Sequence, residues 1–321
     1  MDKGMFSLER TGERNPKIGI ALGSGGARGM AHIGVLRALE EAGVKPELVA
    51  GTSIGALVGG IYSAGKINEL TEIALGLDWK KAARYFMEVS FPRSGLIEGA
   101  RINEFLLEMV GDRSIEDLPR AFSAVATDIM SGREEVLCSG GLVDAIRASI
   151  SVPGIFTPAK VNDAFLVDGG LVNPVPVNVC RKMGAEFVIA VDINNGRTVS
   201  EQHDTLPAGK ENQKRRLIAG VDTSEMFAWL ERRTAGFDAS FLEPVKQWMT
   251  RDPVPGIFDV LGSSLRIMEE QITETRLRID PPDLLIRPAV AHIGFMEFFL
   301  AGEMISEGCR AAKEALGRLK V

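Results

Sequence analysis

The chain has 321 residues, 45% of them hydrophobic, and a mean hydropathy of +0.07, enough for one large α/β core or such a core with a small accessory unit. A net charge of −6, from 37 Lys and Arg against 43 Asp and Glu, speaks against nucleic-acid binding. Cys138, Cys180 and Cys309 lie far apart with no CxxC spacing, which argues against a disulfide framework or a zinc site and fits a reducing cytoplasm.

In chain order, residues 1–15 are a polar N-terminal extension without an apolar leader, and no run of about 18 apolar residues follows, so neither export nor membrane spanning is expected. Ile18-Gly19-Ile20-Ala21-Leu22 reads as a buried strand feeding the glycine turn Gly23-Ser24-Gly25-Gly26-Ala27-Arg28-Gly29. Ile33, Leu36 and Leu39 then recur at helical spacing, with Gly43 as the C-terminal stop, and Leu48-Val49-Ala50 is a second strand. This βαβ unit ends in Gly51-Thr52-Ser53-Ile54-Gly55. A helix rich in small residues follows over 54–64, stopping at Gly65.

Ser53, with glycines two residues before and two after, has the spacing of a nucleophile elbow. A Cβ at Gly51 or Gly55 would crowd the turn. The serine hydroxyl would stand at the start of a helix, where unpaired amides and the helix dipole favour the negative charge of acyl transfer. A lone G-x-S-x-G also occurs as an ordinary strand-to-helix turn. The first loop supplies what a catalytic serine needs in addition, because consecutive glycines present backbone donors at close range, with Gly25 and Gly26 as the natural pair. Arg28 either anchors that loop to nearby carbonyls or faces an anionic substrate group. Anchoring is preferred, since an oxyanion loop must be rigid.

The same loop fits nucleotide binding poorly. A G-x-G-x-x-G pattern starting at Gly23 would need glycine where Arg28 stands, the second strand ends in Gly51 rather than an acidic residue, and there is no G-x-x-x-x-G-K-[ST]. Nucleotide binding is left as a minor alternative.

The base is the next question. Of the three histidines, His32 falls inside the first helix, His203 in a polar stretch, and His292 beside Gly294. None has the Ser, Asp, His order of an α/β-hydrolase, though His292 stays open. Phe165-Leu166-Val167 is a strand that ends in Asp168-Gly169-Gly170. It delivers a carboxylate at a strand's carboxyl end, where α/β active sites form, and a partly buried aspartate on a serine can act as base directly. The bland reading of Asp168 is an Asx-turn cap.

Strands at 122–128, 134–137, 187–192 and 284–286 alternate with helical runs, which implies a mainly parallel sheet sandwiched by helices. The helix near 142–149 leads into Ser151-Val152-Pro153-Gly154-Ile155-Phe156, read either as a wall of the site opposite Ser53 or as a plain connector. Residues 196–282 read as a helical insertion. It begins with a basic cluster (Lys210, Lys214, Arg215, Arg216) and continues through apolar residues including Met226, Phe227, Trp229, Trp248, Met249 and Phe258. The stripe Leu261, Leu265, Met268, Ile272 then recurs at i, i+4, i+7, i+11. The stripe is either core or, with residues 223–272 as a whole, a lid or interfacial surface.

Taken together, the loop 23–29, the elbow 51–55 and Asp168-Gly169-Gly170, in this order, resemble the patatin-like phospholipases, and most nearly the bacterial branch related to the neuropathy target esterase domain. The resemblance covers about 16–195 strongly and residues from about 283 onward more weakly, so that 16–321 is expected to be one acyl hydrolase domain. It implies a three-layer α/β fold with Ser53 as nucleophile, Asp168 as proton acceptor in a Ser–Asp dyad without histidine, and Gly25, Gly26 and Ala27 as oxyanion donors. It further implies hydrolysis of ester bonds in phospholipids, lysophospholipids or similar lipids through an acyl-enzyme, with no metal or organic cofactor; peripheral membrane contact is the expectation raised by the interfacial reading of residues 223–272. Ser24 stands where many members carry glycine, a small departure. Two other readings remain: a non-catalytic lipid-binding or regulatory adaptor that keeps the fold, and a peripheral membrane scaffold.

Overall fold

A computed structural model of the chain describes residues 16–77, 98–195 and 257–319. The chain divides into two units, Met1–Gly196 with Leu261–Val321 and Arg197–Val260, and the fold described is that of the first. The N-terminal extension, His203, the basic cluster and the aromatic-rich part of the insertion lie outside the described residues.

The elements run β1 (Ile18–Leu22), a 3-10 turn (Gly26–Met30), α1 (Ala31–Glu41), β2 (Leu48–Thr52), α2 (Ile54–Ser63), α3 (Ile67–Leu75), α4 (Ala100–Val110), β3 (Ala121–Asp128) and β4 (Glu134–Leu137). After them come α5 (Leu142–Ser149), β5 (Ala159–Val161), β6 (Ala164–Asp168), α6 (Val177–Lys182), β7 (Phe187–Val191), α7 (Ile257–Ile279), β8 (Leu284–Ile286) and α8 (Ala301–Leu319). One mixed eight-stranded sheet results, with successive hydrogen-bonded neighbours β5, β6, β3, β2, β1, β7, β8 and with β4 also on β3. The β1–β2, β2–β3, β1–β7 and β7–β8 pairs are parallel. By contrast β4 and β6 run antiparallel to β3, and β5 antiparallel to β6.

The register of β3 positions the site. Its residues 121–125 pair with β2, ending at Thr52 opposite Val125. Residues 126–128 pair with β6, starting at Asp168 opposite Ala126. Because β4 covers 124–127, it takes one edge of β3, and β2 and β6 share the other. The carboxyl ends of β2 and β6 therefore meet head to head.

The apolar strands are buried as their composition dictates: Ile20, Ala21, Leu22, Val49, Ala50, Val188 and Ala190 are inaccessible or nearly so. Helix α2 is buried along its whole length, which its small residues permit by allowing short distances to β1 and β2. Two features add to the sequence reading. The antiparallel strand β5 was not anticipated. On α7, the buried residues among 260–279 are Gly262, Leu265, Glu269 and Thr273, while Met268 is half exposed and Ile272 only partly buried. The stripe is thus split: Leu261 and Leu265 pack with Val152, Ile155 and Phe156, and beyond them the buried positions pass to Glu269 and Thr273.

Candidate active site

Ser53 links β2 to α2 with φ 56° and ψ −124°, a positive φ that among the described non-glycine residues only Asn162 also has. Such backbone costs energy and persists where its surroundings over-determine it. Here they do. A Cβ at position 51 would lie 2.4 Å from the Gly55 carbonyl oxygen, and one at position 55 would lie 2.1 Å from that of Leu22, so only glycine lets α2 start this close to β1. The Ser53 amide donates to Ser149 Oγ at 2.9 Å, and the Ser149 hydroxyl donates to the Val125 carbonyl at 2.5 Å. Ser149, at the end of α5, was not singled out in the sequence. Thr52 Oγ1 adds a bond to the Asn173 carbonyl at 2.8 Å.

Asp168 is the last residue of β6 and is buried. Its Oδ1 accepts from the Gly170 amide at 2.8 Å, and its Oδ2 accepts from the Ser53 hydroxyl at 2.5 Å. The turn cap and the serine partner are therefore one carboxylate using its two oxygens. Its backbone is fixed as well, by its own amide on the Ser151 carbonyl and by the Thr127 hydroxyl on its carbonyl. Gly169 packs against Val125, where a Cβ would stand 2.2 Å from the carbonyl oxygen. Burial, and then the charge of Glu269, push the Asp168 carboxyl up to about 7 against the lowering effect of its hydrogen bonds.

The glycine loop passes beside the elbow. Gly25 and Gly26 have φ 153° and 60°, and among the described residues neither amide makes a hydrogen bond. Ala27 differs from the expectation: its amide donates to the Phe295 carbonyl at 2.9 Å, so it is committed and is not a third open donor. The Arg28 guanidinium is buried, with Nε donating to the Gly25 carbonyl at 3.1 Å. Burial lowers its pKa to about 10 although Glu269 opposes that.

His32 is fully buried, with Nε2 2.8 Å from the Gly23 carbonyl. Burial lowers its pKa to about 4, so it is a neutral donor beneath the loop. His292 pairs with Glu303 at 2.7 Å on an exposed surface, and it does not line the cavities that contain Ser53.

Ser53 opens on an apolar cavity whose walls include Gly26, Ile54, Leu57 and Phe295, together with Val152, Ile155 and Phe156 of the 151–156 turn. A second apolar cavity shares Ile54, Leu57, Ile102 and Phe298 with it and extends to Leu70 and Phe105. Among the described residues no group of three or more His, Cys, Asp and Glu is placed to hold a metal ion, and no helix is long and apolar enough to cross a membrane. The arrangement can move a proton from a serine to a buried carboxylate beside an apolar pocket.

Comparison with known proteins gives a match of residues 20–181 to the sequence model of the patatin-like phospholipases. An uncharacterized NTE family protein of Mycobacterium tuberculosis is 31% identical over 347 residues, covering 98% of this chain and 95% of the relative. The neuropathy target esterase sws of Drosophila melanogaster is 35% identical over 184 residues, which cover 56% of this chain and 13% of that protein. A patatin-like phospholipase domain-containing protein of Caenorhabditis elegans is 37% identical over 187 residues, 56% of this chain and 14% of its own length.

Proposed function

The chain belongs to the patatin-like phospholipase family, and from that premise we propose that it is a serine acyl hydrolase cleaving ester bonds of phospholipids, lysophospholipids or related lipids through a Ser53–Asp168 dyad. The observation that carries this reading is the 2.5 Å hydrogen bond from Ser53 Oγ to Asp168 Oδ2. A base works best when its pKa lies near the working pH, and burial brings Asp168 to about 7 without an imidazole.

In this mechanism Ser53 Oγ attacks the ester carbonyl carbon as Asp168 takes the hydroxyl proton. The oxyanion that forms is met by the Gly25 and Gly26 amides and the N-terminal end of α2. Collapse breaks the bond to the alcohol, and Asp168 returns the proton to the departing oxygen. Water then adds to the acyl-enzyme with Asp168 again as base, and the fatty acid leaves from Ser53. The two neighbouring apolar cavities, which share wall residues, support an acyl chain as the bound group, since predominantly apolar linings favour apolar ligands. Such a substrate is presented at a membrane surface, which is the contact we assign to a cytoplasmic protein. Residues 16–321 form one hydrolase domain in this reading, with 196–282 as its insertion.

The test is turnover of a panel of phospholipids, lysophospholipids and a water-soluble short-chain ester by the wild type and Ser53→Ala. Loss of all turnover in the folded variant is expected; an adaptor would show none in either protein.

A further inference from the structure

Helix α7 carries a carboxylate that the dyad mechanism does not use. Glu269 is buried and, with Ser53, Asp168, Leu171, Leu265 and Phe295, lines a narrow crevice next to the serine. Its Oε1 lies where a side chain on Gly170 would have to go, 2.1 Å from the Cβ position. The second glycine of Asp168-Gly169-Gly170 is therefore a place made for Glu269. Its Oε2 accepts from Asn194 Nδ2 at 2.6 Å, and the same amide nitrogen reaches Ser24 Oγ at 3.4 Å. The Ser24 hydroxyl also faces the Glu269 carboxylate. Asn194 in turn lies against Gly25, where a Cβ would stand 2.9 Å from its Oδ1.

We propose that Glu269 is a positioning residue of the acyl-transfer site, one that ties the oxyanion loop at Ser24 and Asn194 to α7 and sets the charge facing Asp168. The proposal rests on the dyad reading above. Its physical basis is that one carboxylate touches both halves of the machinery: the loop that meets the oxyanion and the turn that holds the base. A loop whose donors must stay aimed needs such a tie, because a misplacement of about 1 Å costs large factors in rate.

The charges around it decide the sign of its effect. Burial raises the Glu269 carboxyl above its ordinary value, against the lowering effect of Arg28 in the turn after β1 and of the Ser24 and Asn194 hydrogen bonds, and Asp192 just beyond β7 adds a like charge that Arg287 offsets at 3.1 Å. Arg266 and Glu270, on α7 itself, act on Arg28 with opposite signs. Asp168 has no cation among the groups that shift it, and Glu269 is the charge that does. A negative neighbour raises a carboxyl's pKa, so removing it lowers the pH at which Asp168 becomes a base.

The experiment is the pH profile of kcat/KM for a water-soluble short-chain ester in the wild type, Glu269→Gln and Glu269→Asp, with Ser53→Ala alongside. In Glu269→Gln the acid limb moves down by about one unit and the plateau kcat falls about tenfold or more, with KM changed less than about twofold. Glu269→Asp, which keeps the charge but draws it back by one methylene, falls between. An acid limb and kcat unchanged in Glu269→Gln overturn the proposal. If that variant does not fold, a wild-type profile in Glu269→Asp overturns it equally. Turnover by Ser53→Ala would instead remove the dyad on which it rests.

Discussion

Ser53 and Asp168, 115 residues apart in sequence, are joined at 2.5 Å because β3 changes partner between Val125 and Ala126, releasing β2 at Thr52 and taking up β6 at Asp168. The nucleophile and its carboxylate are thus the residues at which two strands, running toward each other along one edge, stop. Strand register rather than loop conformation fixes their separation, so the pair is preorganised.

One consequence concerns stability. The folded-state pKa of Asp168, about 7, lies above its unfolded value of 3.8, so the folded protein holds an extra proton between those values and loses stability as pH rises through them. Asp168→Asn should therefore be more stable than the wild type at pH 8, by on the order of 1–3 kcal/mol after the lost hydrogen bonds are counted. The difference should shrink toward pH 4. Thermal unfolding of both proteins across that range checks it, while ester turnover by the variant falls by roughly three orders of magnitude or more.

His32 gives the opposite slope. Its folded pKa of about 4 lies below the ordinary 6.5, so the unfolded chain binds more protons in that window. The stability it contributes is complete above about pH 6.5 and is lost as pH falls toward 4. Replacing it with leucine removes the bond to the Gly23 carbonyl, so His32→Leu should be less stable than the wild type at pH 7. Denaturant titrations should show that deficit narrowing on acidification.

The base assignment predicts that wild-type kcat/KM rises with pH through an apparent pKa near 7, the value to which burial brings Asp168. His292→Ala should keep this limb and most of the activity, since His292 pairs with Glu303 away from Ser53. A flat profile after His292→Ala would restore a histidine base.

Leu57 borders both apolar cavities. Leu57→Trp should fill space in both and lower long-chain turnover relative to a butyryl ester by roughly tenfold or more. Competition between the two substrates in one reaction measures the ratio directly.

Much of this site is legible in the sequence because its motifs sit at strand ends whose glycines are forced by local contacts: Gly51 by Gly55, Gly55 by Leu22, Gly169 by Val125. What was hidden comes from across space. Ser149 ends an ordinary amphipathic helix, and nothing near it signals that its hydroxyl receives the Ser53 amide. Glu269 stands next to Met268, and a stripe drawn through apolar residues passes it by, although spacing of four from Leu265 places it on the buried face. Ala27 was read as a donor because its amide's engagement with Phe295 is a tertiary contact. Strand β5 has only three residues and follows Pro158, too little for a periodic signal.

The central claim is that Ser53 becomes acylated with Asp168 as its base. Mass-spectrometric mapping of a fluorophosphonate adduct tests it most directly. The account predicts one adduct, on Ser53, formed by the wild type, absent in Ser53→Ala and slowed by orders of magnitude in folded Asp168→Asn. An adduct on another residue, or undiminished labelling of Asp168→Asn, would contradict it.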